Sequence, residues 1–429
     1  MTGPDIPSRL SPPFLFVYNN APYKLERNFI RILWLSLTCL LALVAYFFWE
    51  KISLDGCRRR LPLRVAVTGT RGKSSVARLI AAALRGSGHR VVARTTGSRP
   101  AVILPDGSER EIERKGSPSL LEGKALLHLA RKLKADTVVA ELMSINPEYL
   151  AVEAGRIFKP SILALTNVRL DHLDVMGRTR EEMARSLAAA IPPESTVFIP
   201  AGECLTIFEK KAKKVGTRLI KVPPRKGGPG LSGGKTGRLY DFPENTSLAL
   251  AVAGACGVSG KAARKAMAGA HPDLGALRAW KVRFGRPPRV WRCLSAFAAN
   301  DPESTNVILA KLRKARFLKK GRRLLLLNLR EDRPDRTRQW LEAAGQGYFK
   351  EFDRLAVSGA PRALERRLAK VQPAAGPPLT VVSDEDPLAV MNKLLGEETG
   401  GGLLVGVGNI GGLGRSLVEL WERIGEAFD

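Results

Sequence analysis

Val65-Ala66-Val67-Thr68-Gly69-Thr70-Arg71-Gly72-Lys73-Ser74-Ser75 decides how this chain is read. Val65 to Val67 form a short apolar run of the kind that makes a buried strand. The run breaks at Gly69, and Val76, Leu79, Ile80 and Leu84 then recur at helical spacing. Strand, glycine turn, Lys-Ser and helix N-terminus in that order make a phosphate cradle. Backbone N–H groups and the helix dipole meet the anion, Lys73 adds a point charge, and Ser74 leaves a hydroxyl for Mg²⁺, with Mn²⁺ the alternative ion. The full Walker pattern needs a glycine five residues before Gly72, where this chain has Val67. The stretch is therefore the shorter G-T-x-G-K-S form, and Gly69, Thr70, Arg71, Gly72, Lys73, Ser74 and Ser75 are expected to bind a nucleotide.

Upstream, Ile32 to Trp49 is uncharged and apolar on every face. At about 1.5 Å per residue it is just long enough to cross a bilayer core of about 30 Å. Trp34, Tyr46 and Trp49 stand where interfacial aromatics belong. The run is too long for a signal peptide, and no small-residue cleavage site follows it. The expected order is an N-terminal segment (1–31), a single transmembrane helix (32–49) and a linker (50–62). Basic residues flank both ends, so charge alone leans only slightly towards a cytoplasmic C-terminal part. The need for ATP places the catalytic part in the cytoplasm, with the chain in the cell membrane.

At 429 residues the chain can hold two or three domains. Its 28 surplus positive charges point to an anionic partner or surface without naming one. Five scattered cysteines without a C-x-x-C exclude a metal cluster and a disulfide framework.

Downstream, Arg90 to Ala93 reads as a second strand ending at Thr95-Thr96-Gly97-Ser98, and Leu120 to Leu133 as a helix. Thr137 to Ser144 is a buried strand with Glu141 at its end, and Ile162 to Asn167 another, followed by Val168-Arg-Leu-Asp171-His172-Leu-Asp174. Alternating short strands and helices imply an α/β fold with a parallel sheet covered on both faces. Its strand ends, carrying Lys73, Glu141 and His172, should share one edge. Ser74 and Glu141 suit a hard Mg²⁺, and His172 a second metal or an acyl-phosphate. The stretch Val222–Arg238 is loop-like, and Gly234-Lys235-Thr236 within it lacks the strand of a true P-loop. Asn245 is expected at the N-cap region of a small-residue helix. A further module begins near Arg283, with strands at Leu324–Leu327, Leu355–Ser358, Leu379–Val382 and Leu403–Gly406. Gly406-Val-Gly408-Asn-Ile-Gly411 imitates a dinucleotide fingerprint but has no βαβ unit after it, so it reads as a loop close to substrate.

Gly69-Thr-x-Gly-Lys-Ser, Glu141 at a strand end, Asn167-x-x-x-Asp171-His172-x-Asp174 and Asn245 in that order resemble the Mur ligase superfamily. Glu141-Leu-Met-Ser-Ile-Asn-Pro-Glu-Tyr149, Asp273-Leu-Gly-Ala-Leu-Arg278, Phe297-Ala-Ala-Asn-Asp-Pro-Glu-Ser-Thr305 and Arg330-Glu-Asp-Arg-Pro-Asp-Arg-Thr337 narrow the resemblance to its poly-γ-glutamate synthase branch. The resemblance implies an ATP-binding Mur-ligase-like central domain (63–282) and a smaller Rossmann-like C-terminal domain (283–429). It implies an ATP-dependent amide ligase that polymerises glutamate through its γ-carboxylate by way of an acyl-phosphate.

By the same resemblance Lys73 holds the β/γ-phosphates, Ser74 and Glu141 one Mg²⁺, and His172 a second metal. Asn245 faces adenine, Arg278 touches the γ-phosphate and Asp301 lies near the ribose. Thr96, Arg330, Arg333 and Arg336 are expected contacts to glutamate or polymer, with the positive charge tracking a growing polyanion. The partners implied are small membrane subunits of a polymer synthase or export complex, and no nucleic acid. Two alternatives stand beside this reading. One is a Mur-type ligase adding another acidic amino acid to a cell-wall or cofactor acceptor. The other is a membrane-tethered, nucleotide-switched protein that binds polyanions.

Overall fold

The apolar N-terminal run is helical from Ala21 to Arg59 in a computed structural model. The structure describes residues 21–97, 99–114, 116–203, 205–223, 242–271, 273, 275–299, 301–314, 321–331, 334–360, 364, 377–396 and 398–427. Arg333, most of the expected N-terminal segment and the glycine-rich 224–241 stretch lie outside them. The chain divides into two units, Met1–Gly56 and Cys57–Asp429. In the first, the helix is long and apolar enough to cross a membrane by length and composition, with a mean hydropathy of 2.1 over its apolar window. Residues 32–49 fall inside it. The expected linker at 50–62 is instead helical as far as Arg59, because nothing before that residue breaks the helix.

The second unit holds two sheets. The first runs in the order β4-β3-β2-β5-β1-β6-β7-β8. Its strands are β1 (Leu63–Thr68), β2 (Val91–Thr95), β3 (Ala101–Ile103), β4 (Glu109–Glu111), β5 (Thr137–Glu141), β6 (Ile162–Leu165), β7 (Thr196–Pro200) and β8 (Arg218–Val222). From β2 to β8 all pairs are parallel, while β3 and β4 add an antiparallel edge that the alternation of strands and helices does not announce. Val67 of β1 lies opposite Glu141 of β5 and Ala164 of β6, so these three strands end together. The helix Lys73–Arg85 buries Val76, Leu79, Ile80 and Leu84, the positions its periodicity marks, against Leu248, Val252 and Met267. Each such aliphatic side chain contributes about 1.5–3 kcal/mol of burial.

The second sheet has the order β13-β12-β11-β14-β10-β9-β15. It comprises β9 (Arg278–Phe284), β10 (Arg289–Ser295), β11 (Arg322–Asn328), β12 (Arg354–Ser358), β13 (Leu379–Val382), β14 (Gly402–Gly408) and β15 (Glu426–Ala427). It is parallel from β13 to β10 and antiparallel at β9 and β15. The boundary expected at 282/283 falls within β9, whose partner is β10 of the second sheet. One face packs Leu294, Leu325, Trp340 and Leu355, and the other Trp280, Trp291, Phe297 and Trp421. Gly406 serves this packing, since a Cβ there would stand 2.1 Å from the Phe297 ring.

Behind the edge where β2 and β5 end lies a buried ion pair. Arg94 and Glu153, 1% and 0% exposed, meet at 2.8 Å. Glu153 sits where the helix Pro147–Val152 widens into a π-type turn, a device common near functional sites. Its Oε2 accepts from the Met143 N–H (3.1 Å), the Ser144 N–H (3.1 Å) and the Ser144 hydroxyl (2.8 Å). Arg94 also donates to the Glu141 carbonyl (2.9 Å). Removing one partner leaves the other charge buried without compensation. Glu153→Ala is expected to lower the unfolding free energy by about 3–5 kcal/mol. Urea unfolding of the full chain checks this, and a loss below about 1 kcal/mol would contradict it.

Candidate active site

Thr68 leads from β1 into Gly69, and the chain turns through Gly72 at φ +78° before the helix starts at Lys73. Only glycine takes that φ without strain. A Cβ at Gly72 would also stand 2.6 Å from Asn245 Nδ2, so the loop packs directly on that amide. Asn245 is the third residue of the helix Pro243–Ala255 and does not cap it. Pro243, which lacks an N–H, takes the first helical position, and Phe242 precedes it. Asn167, just past β6, clamps the loop from the other side. Its Oδ1 accepts from the Thr70 hydroxyl (2.8 Å) and the Arg71 N–H (3.0 Å), and its Nδ2 donates to the Arg71 carbonyl (3.1 Å).

Lys73 Nζ donates to the carbonyls of Gly69 (2.9 Å) and Thr70 (3.4 Å). Loss of solvent pulls its pKa below the ordinary lysine range against the raising effect of Glu141 and Asp171, and Arg71 adds to the lowering. The buried Glu141 accepts from the Ser74 hydroxyl and from the Thr96 N–H through the same Oε2, each at 2.7 Å. The N–H of Thr96 is thereby spent on Glu141. Ser75 is half-buried in the first helical turn. His172 adopts a left-handed backbone at φ +48°, an uncommon conformation for a non-glycine residue. Lys73, Asp171 and His172 line one cleft with Thr70, Met143 and Ser144. Burial raises the Asp171 pKa, but Arg71, His172, Arg336 and Lys73 outweigh it and hold the carboxyl below its usual range.

The residues expected in the second module divide. Asp301 accepts from Arg71 Nη2 at 3.1 Å, which puts it beside the P-loop. Arg336 reaches Asp171. Arg330 lines a separate cleft with Asn328, Arg336, Thr337, Trp340 and Asn409 at the ends of β11 and β14, where the Gly408-Asn409 turn was expected near substrate. Arg278 is gripped by Glu422 Oε1 (2.6 Å) and lies 4.7 Å above the Trp280 ring. Both of these partners, Glu422 and Trp280, lie outside the P-loop. Arg94, Glu153 and the bridging role of Asp171 escape a reading along the chain, because a buried charge shows only through its partners.

The residues fit a triphosphate and a hard divalent ion. A glycine-lined turn, a lysine that donates to loop carbonyls, and a buried Arg71 Nε with no acceptor among the described residues suit an anion. A hydroxyl and a carboxylate 2.7 Å apart suit Mg²⁺ or Mn²⁺. Among the described residues no group of three or more His, Cys, Asp or Glu side chains could hold a metal ion.

Two parallel-sheet modules with a P-loop at their junction define a Mur-type ligase. The Mur ligase middle domain matches residues 67–249, and the poly-gamma-glutamate synthase CapB C-terminal domain matches residues 282–424. Escherichia coli FolC in complex with ADP shares the fold with a TM-score of 0.60 at 17% identity, over 87% of this chain and 93% of that one. A folylpolyglutamate synthase from Thermotoga maritima does so with a TM-score of 0.55 at 17% identity, over 90% and 97%. The capsule biosynthesis protein CapB of Bacillus anthracis is 30% identical over 322 residues, 74% of this chain and 68% of that protein. The PGA synthase CapB of Bacillus subtilis (strain 168) is 34% identical over 285 residues, 65% and 70%. The chain belongs to the CapB family.

A Cβ at Gly97 would stand 2.6 Å from Ser74 Oγ without meeting any backbone atom. Gly97→Ala is expected to turn Ser74 away from Glu141 and to raise the Mg²⁺ concentration for half-maximal ADP release about tenfold. A Mg²⁺ titration checks this, and an unchanged midpoint would contradict it.

Proposed function

We propose that the chain is an ATP-dependent, ADP-forming amide ligase that lengthens a γ-linked glutamate polymer. The observation that carries this reading is the meeting of Lys73, Glu141 and the Asp171-His172 loop at one sheet edge, in a chain of the CapB family. The γ-phosphoryl group of ATP passes to the terminal γ-carboxylate, and ADP leaves. The amine of the next glutamate then attacks the carbonyl carbon. The C–N bond forms, the C–O bond to phosphate breaks, and the nitrogen gives up a proton. Phosphorylation turns a poor leaving group into a good one.

Lys73 and the loop N–H groups hold the phosphates and offset the charge that builds on them. Ser74 and Glu141 would hold Mg²⁺ or Mn²⁺, and His172 would face a second ion across the cleft. A divalent ion there supplies charge neutralisation at the phosphate oxygens. Asn245, against Gly72, is assigned to the nucleotide. A γ-phosphate role for Arg278 requires it to exchange Glu422, and a ribose role for Asp301 requires it to share its carboxylate with Arg71. Arg330 is assigned to the incoming glutamate. The apolar helix anchors the chain with its catalytic unit on the side where ATP is, and offers a surface to small membrane subunits. The surplus of 69 basic over 41 acidic residues concentrates a polyanionic product.

The test is ADP release by the full chain in detergent across a panel of amino acids, with sizing of the product. Glutamate is expected to drive release and to appear in polymer, and Lys73→Ala and His172→Ala to lower the rate by about 100-fold or more. Equal stimulation by aspartate, or release indifferent to any amino acid, would overturn the assignment.

A further inference from the structure

Four side chains from the two modules of the catalytic unit alternate in sign across their junction. Arg336, in the helix Pro334–Gly345, donates through Nη2 to Asp171 Oδ1 at 2.5 Å. Asp171 Oδ2 faces Arg71 Nη1 at 3.5 Å, and Arg71 Nη2 donates to Asp301 Oδ2 at 3.1 Å. Asp301 is fixed in turn at the head of the helix Pro302–Lys314, accepting from the Ser304 N–H (2.7 Å) and the Ser304 hydroxyl (2.8 Å). The four are between 10% and 22% exposed, so their attraction is screened far less than on an open surface.

The two outer members belong to the C-terminal module and the two inner ones to loops of the nucleotide site. Phosphate binding itself uses glycines, a lysine and a hydroxyl, and makes no demand for arginine between Thr70 and Gly72. Arg71 spends both terminal nitrogens on carboxylates, one on its own side of the junction and one across it. Asp171 precedes His172, and both line the cleft with Lys73. A shift of the C-terminal module therefore pulls on both loops at once.

We propose that Arg71 and Arg336 are positioning residues that tie the phosphate loop and the Asp171-His172 loop to the C-terminal module, so that the cradle reaches its binding geometry only with that module docked. Arg336 then acts on the nucleotide, not on glutamate as its motif implies. The inference deepens the ligase reading and rests on it for the identity of the nucleotide. Members of one partly buried charge chain couple, so cutting either end removes much of what the other contributes.

The test is equilibrium binding of a fluorescent, non-hydrolysable ATP analogue to the full chain in detergent without glutamate, together with the KM for glutamate in ADP release. Arg336→Met is expected to weaken analogue binding about tenfold, with Arg336→Lys recovering most of the loss. The KM for glutamate should stay within about twofold, and Arg336→Met combined with Asp301→Asn should bind no more than about twofold worse than the weaker single variant. Arg336→Lys keeps the charge and carries the test should Arg336→Met not fold, with an expected loss of about two- to threefold. Analogue binding by the Arg336 variants equal to the parent's would overturn the proposal. So would a raised KM for glutamate with binding unchanged, which is the result of direct substrate contact. A parent chain that binds the analogue yet releases no ADP with glutamate would overturn the ligase reading and leave the tie standing on the binding data.

Discussion

One carboxylate oxygen holds the site together. Glu141 Oε2 accepts both from Ser74, in the first turn of the P-loop helix, and from the backbone of Thr96, beyond the end of β2. Three separate elements meet there only because β2, β5 and β1 are neighbours, parallel and in register. A parallel sheet sends all its strand ends to one edge, and the loops leaving them converge on whatever binds there. Crossover helices are the condition of that geometry, and their apolar faces supply the burial that keeps the register.

The charges near the site follow one economy. Arg94 and Glu153 are buried. Arg94 Nη2 donates to both Glu153 and the Glu141 carbonyl, and Glu153 accepts from the N–H groups of Met143 and Ser144. Arg94 Nε and Nη1 have no acceptor among the described residues. Arg71, Asp171, Arg336 and Asp301 pair in a chain of alternating sign across the module junction. A buried charge is tolerated when paired and hydrogen-bonded, and the pairing fixes relative positions more than it adds stability. The net charge of +28 is a sum over the whole sequence, whereas these paired groups hold the loops of the site in place.

The C-terminal module shows how a motif can mislead and still mark the right place. The glycines of Gly406-Val-Gly408-Asn-Ile-Gly411 suggest a dinucleotide turn, yet Gly406 is small to admit the Phe297 ring. Gly408 turns the chain at φ +94° beside Asn328, whose amide bonds the carbonyls of Asn409 (2.7 Å) and Gly411 (3.0 Å). The turn so formed lines a cleft with Arg330. Packing set the glycines, and topology put the cleft at the strand ends.

The chain alone fixes what depends on neighbours in sequence. Strand β1, the glycine turn after it and the helix from Lys73 rest on local spacing and are found where spacing places them, while the apolar run at 32–49 lies within a longer helix, Ala21–Arg59. The antiparallel β3–β4 edge and the start of the second sheet at Arg278 escape that reading, since short strands gain their stability from distant partners. Glu153 inside the protein, Arg336 on Asp171 and Arg278 on Glu422 were decided by tertiary structure alone. A charged side chain carries no record of its partner in its own sequence, because burial and pairing come into being only when segments over a hundred residues apart, such as Arg336 and Asp171, are brought together.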